Sequence, residues 1–197
     1  MIKILYQGHG SLRITTHEGK VIYVDPYAGK GYDLPADVIL VTHQHFDHNC
    51  VSKPAKNVNC VVWQNTDALS NGQYQSVSLA GIMVQAVQAY NAHHRKTECV
   101  GYLLKCGETN IYIAGDTSLT QQMYDMADYG IDYAFLPCDG KYNMNVAEAI
   151  KCAEIINAKH VIPYHMAPGK LYDETIAETF TPCNALLVRP NEVIEIA

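Results

Sequence analysis

Residues 43–48 read His-Gln-His-Phe-Asp-His and follow directly on the apolar run Val38–Val41. This segment constrains the fold more than any other, because it requires a buried strand to end where a loop gathers imidazoles and a carboxylate around one point. His43 and His45 share a face in an extended chain and His48 does not, so only a loop leaving the strand end can converge them. Neutral imidazoles and a carboxylate are ligands suited to Zn²⁺, Mn²⁺ or Fe²⁺, and such groups are costly to hold close together unless an ion or hydrogen bonds satisfy them. His43, His45, Asp47 and His48 are therefore read as metal ligands.

The remaining composition sets the class of protein. A chain of 197 residues with 48% hydrophobic content can bury a full core, and it is read as one domain over residues 1–197. The formal net charge of −6, with no Lys or Arg cluster, argues against a partner tracked through its phosphates, so the expected partner is a small molecule and not a nucleic acid. Seven cysteines with no Cys-x-x-Cys pair speak against a disulfide framework and point to the cytoplasm. No long apolar segment or leader pattern is present, so no membrane association is expected. The sequence allows a homo-oligomer without specifying one.

Short β-type runs dominate the first third: Ile2–Tyr6, Ser11–Thr16, Val21–Asp25, Val38–Thr42 and Cys60–Trp63, divided by Gly, Pro and Asp-rich turns. The glycine-rich segment from Pro26 to Pro35 is read as a loop whose backbone approaches a site or carries substrate contacts. Further strands are expected at Ile82–Ala89, Val100–Lys105 and Ile111–Ala114. Helical spacing then enters. Ser118 with Gln121 resembles a capping box ahead of Leu119, Met123, Met126 and Ala127; Asn145 with Glu148 caps a second helix, and Asp173 a third. Strands Tyr133–Leu136 and His160–Tyr164 alternate with these helices, and two closing strands flank the Pro190-Asn191 turn. Strands first and mixed elements later suggest an α/β fold of sheets with helices on their outer faces.

More metal-capable residues stand where these strands stop: the His93-His94 pair, Asp116, and His165. With them, the His-x-His-x-Asp-His signature identifies the chain as resembling the metallo-β-lactamase superfamily over nearly its whole length. Tyr6–Ser11 (Tyr-Gln-Gly-His-Gly-Ser), Asp25-Pro26, Gly115-Asp116-Thr117, Leu136-Pro137 and Tyr164-His165 are similar to a branch of metal-dependent hydrolases that resembles ascorbate-6-phosphate lactonase. The resemblance implies a four-layer αβ/βα sandwich with a dinuclear site at one sheet edge. By position, His43, His45 and a third histidine would hold one ion, Asp47, His48 and His165 the other, with Asp116 bridging. The third histidine is taken as His93, from its spacing before Val100-Gly101-Tyr102, with His94 as the alternative; Asn91 stands where some relatives carry histidine.

The resemblance further implies two divalent ions, zinc first with manganese or iron as alternatives, and a metal-bridged hydroxide that attacks a small ester, lactone or phosphorylated metabolite. Asp47, bound to metal and near that water, is the candidate to move its proton. His9, Asp25, His94 and Tyr142 are read as residues that orient a ligand or touch substrate. Cys50 and Cys138 are read as structural. The alternatives are an RNA or cyclic-nucleotide phosphodiesterase, and a non-catalytic metal-binding member of the fold.

Overall fold

The computed structural model describes residues 1–196. Strands β1 (Ile2–Gly8), β2 (Ser11–Thr15), β3 (Val21–Val24), β4 (Ala36–Val41) and β5 (Lys56–Gln64) form one sheet, closed at its other edge by the C-terminal β14 (Val193–Ile196). Between these lie a four-residue helix, α1 (Asn65–Ala68), and a small ribbon of β6 (Leu69–Ser70) and β7 (Gln73–Tyr74). The second sheet contains β8 (Ser76–Leu79), β9 (Ile82–Gln88), β10 (Val100–Cys106), β11 (Thr109–Ile113), β12 (Tyr133–Pro137) and β13 (His160–Tyr164), in the order β13-β12-β11-β10-β9-β8. In each sheet antiparallel hairpins give way to parallel pairs: β3, β4 and β5 in the first, β11, β12 and β13 in the second. A strand paired in parallel on both sides has both faces covered, which explains why β4 reads as the nearly continuous apolar run Val38–Val41.

Alternation along the strands divides the core into layers. Val38 and Leu40 of β4 point inward with Ile4, Leu12, Tyr102 and Ile113, filling the space between the sheets. Ile39 and Val41 point the other way, where Tyr32 and Leu34 from the 26–35 loop and Val51 cover them. The second sheet's outer face carries the helical layer: a 3₁₀ helix (Gln121–Tyr129), α2 (Val146–Ile156) and α3 (Glu174–Thr179). The two packed sheets of the expected sandwich are therefore present, with helices on the outer face of the second sheet and loops on that of the first.

Two local expectations change. The segment after Asp116 is capped at Thr120, not Ser118, and winds as 3₁₀. Met123 and Met126 are buried as their spacing implies. Asn145 caps α2 as expected, its Oδ1 accepting from the Glu148 amide at 2.9 Å, while the Glu148 carboxylate accepts from the Leu119 amide at 3.0 Å and ties α2 to the segment after Asp116. Only one strand, β14, follows the Pro190-Asn191 turn, while the stretch before it makes a single bridge between Ala185 and Val161. The Pro26–Pro35 loop does approach the site, through Tyr27, whose ring lies 6.0 Å from that of His9.

Candidate metal centre

The ends of β1, β3, β4, β11 and β13, with the loop after β9, meet at one edge of the sandwich. The chain must turn sharply there to aim side chains at a shared point. Among the described residues, three of the seven non-glycine positions with positive φ, His9 (54°), Asp25 (46°) and His165 (45°), stand at these strand ends. This left-handed conformation is disfavoured for residues with a Cβ and is kept where surrounding structure enforces it, commonly at functional sites. Two glycines make room. A Cβ on Gly10 would sit 2.9 Å from His48 Cε1, and one on Gly115, just before Asp116, would sit 2.8 Å from the Val100 carbonyl oxygen.

Three overlapping sets of potential ligand atoms result, each with members within 4.8 Å of one another: His43, His45 and His94; His43, His48 and Asp116; and His9, Asp47, His48 and His165. Asp116 is central, with its carboxylate 3.3 Å from His94 Nε2, 3.5 Å from His48 Nε2 and 3.6 Å from His165 Nε2. The structure brings together every residue of the 43–48 motif expected to bind metal, along with Asp116 and His165. It replaces His93 by His94. Asn91 Oδ1 accepts hydrogen bonds from the amides of His93 (2.8 Å) and His94 (3.0 Å), and the tight turn that results sends adjacent side chains in opposite directions. His94 points inward and is buried, while His93 is exposed and packs edge-on against Tyr142.

The backing hydrogen bonds fix which ring nitrogen carries a proton. Asp25, fully buried, accepts from the Thr42 amide at 2.8 Å, from Thr42 Oγ1 at 2.6 Å and from His48 Nδ1 at 2.8 Å. With its proton committed to Asp25, the Thr42 hydroxyl accepts from His43 Nδ1 at 3.0 Å. His94 Nδ1 donates to Asn91 Oδ1 at 3.0 Å, and His165 Nδ1 faces Asp139 Oδ2 at 3.3 Å. In all four rings Nδ1 is turned outward to a partner and Nε2 toward the centre.

That centre fits a cation. His43 Nε2 is buried with no hydrogen-bond partner. The Nε2 atoms of His48 and His165 face each other at 3.3 Å, and His94 Nε2 faces the Asp116 carboxylate. Lone pairs set against one another in this way repel unless a proton or a metal ion lies between them.

Charges within the cluster shift accordingly. Burial pushes the His43 pKa down to about 2, and the neighbouring His48 charge adds to that. Burial also lowers His94, against the pull of Asp116. For His48, burial is outweighed by the Asp116 and Asp25 carboxylates, which raise it to about 9. His165 is raised in the same sense, the Asp116 carboxylate and then the nearby Asp139 carboxylate overcoming burial. Burial would raise Asp116 and Asp47, yet the surrounding imidazoles, with the His9 hydrogen bond at Asp47, hold both well below the usual carboxylate range.

His9 and Asp25 stand where a contact to a ligand was expected. His9 Nε2 lies 3.1 Å from Asp47 Oδ2, and its Nδ1 lies 3.2 Å from the Lys170 carbonyl. Tyr142 lines the cleft over the cluster, which has a volume of about 600 Å³ and is bordered also by Phe46, Asp47, His93, Asp116 and Gly169. Cys138 is buried and Cys50 half-buried in a loop, as structural residues would be.

Asp139 is the residue that sequence reasoning missed. Its Oδ1 accepts from the amides of Lys141, Tyr142 and Asn143 at 2.7–3.0 Å, and its Oδ2 from Asn143 Nδ2 at 3.0 Å while facing His165. Burial raises its pKa, but His165 and these amides prevail and hold it down at about 2. The same loop is tied to Asn91, whose Nδ2 donates to the Tyr142 carbonyl at 2.8 Å, so His94 and His165 are braced through one segment. The available signal was Asp139-Gly140 directly after a strand end, a turn pattern that says nothing of a ligand.

Comparison with known proteins places this fold in a family. The profile of a β-lactamase superfamily domain matches residues 3–165. A metal-dependent hydrolase of Pyrococcus furiosus is 34% identical over all of this chain and all of its own length. Another, from Geobacillus thermodenitrificans, is 30% identical over 99% of this chain and all of its own. Among solved structures, a Parabacteroides distasonis protein described as a metal-dependent hydrolase superposes with a TM-score of 0.78 at 28% identity, covering 96% of this chain and 93% of that one. The chain belongs to the metallo-β-lactamase superfamily, among its metal-dependent hydrolases.

Proposed function

We propose that the protein hydrolyses a small ester, lactone or phosphorylated metabolite with two divalent cations, zinc in the first instance and manganese or iron as alternatives. The observation that carries this reading is the convergence of four Nε2 atoms and the Asp47 and Asp116 carboxylates at the floor of an open cleft. His43, His45 and His94 would hold one ion and Asp47, His48 and His165 the other, with Asp116 between them. When bound, the ions supply a water acidified toward neutrality and an electrostatic hold on the substrate oxygen that gains charge.

The chain's own groups do the rest. Asp47 is half-exposed at the cleft floor and can take a proton from water and pass it to a leaving group. His9 holds Asp47 in that position and is itself fixed by the Lys170 carbonyl. Asp25, Thr42, Asn91 and Asp139 keep the imidazoles in one tautomer and one rotamer. The seven cysteines are unpaired, which supports placement in a reducing cytoplasm.

An RNA or cyclic-nucleotide phosphodiesterase is less supported, because no Lys or Arg lines the cleft. A non-catalytic member would be marked by lost ligands, and the convergence of His43, His45, His48, His94, His165, Asp47 and Asp116 speaks against that. The test combines metal analysis with turnover of lactones, thioesters, phosphoesters and cyclic nucleotides, with and without chelator. Asp47→Ala is expected to abolish chelator-sensitive turnover, and His94→Ala to lower metal content where His93→Ala does not. Metal content near zero, with turnover unchanged in Asp47→Ala, would sink the proposal.

A further inference from the structure

The walls of the cleft differ in chemistry from its floor. Phe46 lies between the ligands His45 and Asp47, yet its ring is 75% exposed, the largest exposure of any aromatic side chain among the exposed large hydrophobic residues. It stands edge-on to Tyr27 at 5.8 Å, and a second aromatic pair, His93 and Tyr142, lines the same cleft with its rings 5.4 Å apart. An apolar ring held open to water at the rim of a polar centre gains free energy when a ligand covers it, and its face favours a flat partner.

The same walls provide little for a phosphate. Its peripheral oxygens are ordinarily met by Arg or Lys, and neither type lines the cleft. Two basic groups beside the cleft already have partners: Lys141 Nζ lies 4.9 Å from the centre of the Tyr142 ring, and Lys170 pairs with Asp173 at 3.1 Å.

We infer that the cleft selects an uncharged lactone or carboxylic ester bearing an aryl or flat apolar group, held against Phe46 and the His93–Tyr142 pair, over phosphorylated metabolites. This rests on the hydrolase reading above and narrows it. In the reaction the water oxygen bonds to the acyl carbon as the acyl carbon–oxygen bond breaks. One water proton passes to the leaving oxygen, giving an alcohol or phenol, and the acid formed ionises and releases the other.

The test uses metal-loaded protein. Turnover is measured with dihydrocoumarin and 4-nitrophenyl butyrate against 4-nitrophenyl phosphate and bis(4-nitrophenyl) phosphate, and calorimetry measures binding of 3,4-dihydro-2-quinolinone, a lactam of similar shape to dihydrocoumarin. The esters are expected to be turned over and the phosphates to lag far behind. Phe46→Ala is expected to weaken lactam binding and raise the dihydrocoumarin KM by about fivefold to tenfold, with Phe46→Tyr restoring both, as for loss of an aromatic contact. Metal content measured on each variant separates this from damage to the ligand loop, and Phe46→Leu serves if the alanine variant does not fold. Phosphates turned over as well as the esters, or lactam binding indifferent to Phe46, overturns the inference while chelator-sensitive turnover leaves the hydrolase reading standing. Turnover insensitive to chelator overturns both.

Discussion

The two halves of the candidate centre, one for each of the two proposed ions, use the same side chain and back it differently. His48 and His165 are buried and set against carboxylates, Asp25 and Asp139. His43 and His94 lean on a hydroxyl and an amide, Thr42 and Asn91, and share their half with the exposed His45. A carboxylate behind an imidazole makes it more basic and a better donor to a cation, whereas a neutral partner only orients it. The pKa directions run the same way: His48 and His165 are raised, by Asp116 first with Asp25 and Asp139 adding, and His43 and His94 are lowered, by burial first. The lesson is that one half is built to hold charge tightly and the other to stay neutral beside the opening of the cleft.

The largest effect is expected at the residue the halves share. Asp116→Asn keeps the shape of the side chain and removes its charge, and activity is expected to fall by about 10²–10³-fold, as when a main electrostatic element of a site is lost. Metal analysis should show both halves affected; loss of one ion alone would mean that Asp116 serves a single half. Next come the backing groups. Asp25→Asn and Asp139→Asn are each expected to weaken metal binding by about 10–100-fold, and Asn91→Ala by less, measured by competition with a chelator. Equal losses across the three would break the comparison.

The smallest effect concerns stability against pH in chelator-treated protein. His48, with its folded pKa raised to about 9, contributes stability that is full below its unfolded value near 6.5 and is lost as pH rises through about 9. His43, lowered to about 2, acts in the opposite sense: the unfolded chain takes up its proton below about 6.5, so stability falls as pH drops through that value. The melting temperature should therefore peak near pH ~6.5, where the two contributions meet, and His48→Gln should flatten the alkaline limb and His43→Gln the acid one. A profile unchanged in both variants would contradict the assignment.

Much of this centre is legible in the chain itself. The motif from His43 to His48 follows a run whose burial on both faces is written in Val38–Val41, and Asp116 and His165 stand at the ends of apolar segments with clear strand character. His94 was harder to read, since adjacent histidines have the same composition and nearly the same spacing, and their directions depend on a turn closed by the Asn91 side chain. Asp139 was harder still. Its role comes from a loop that carries it beside a histidine 26 positions away in sequence, a distance that local patterns do not encode.

By itself the sequence determined the family, the alternation of strands and helices, and the residue types that meet at one sheet edge, because periodicity and ligand chemistry are local properties. Only the tertiary structure decided which of two neighbouring histidines enters the centre, which partner stands behind each imidazole, and that an exposed phenylalanine forms the wall of the cleft. Those are matters of direction, and direction is set when separate strand ends are packed against one another.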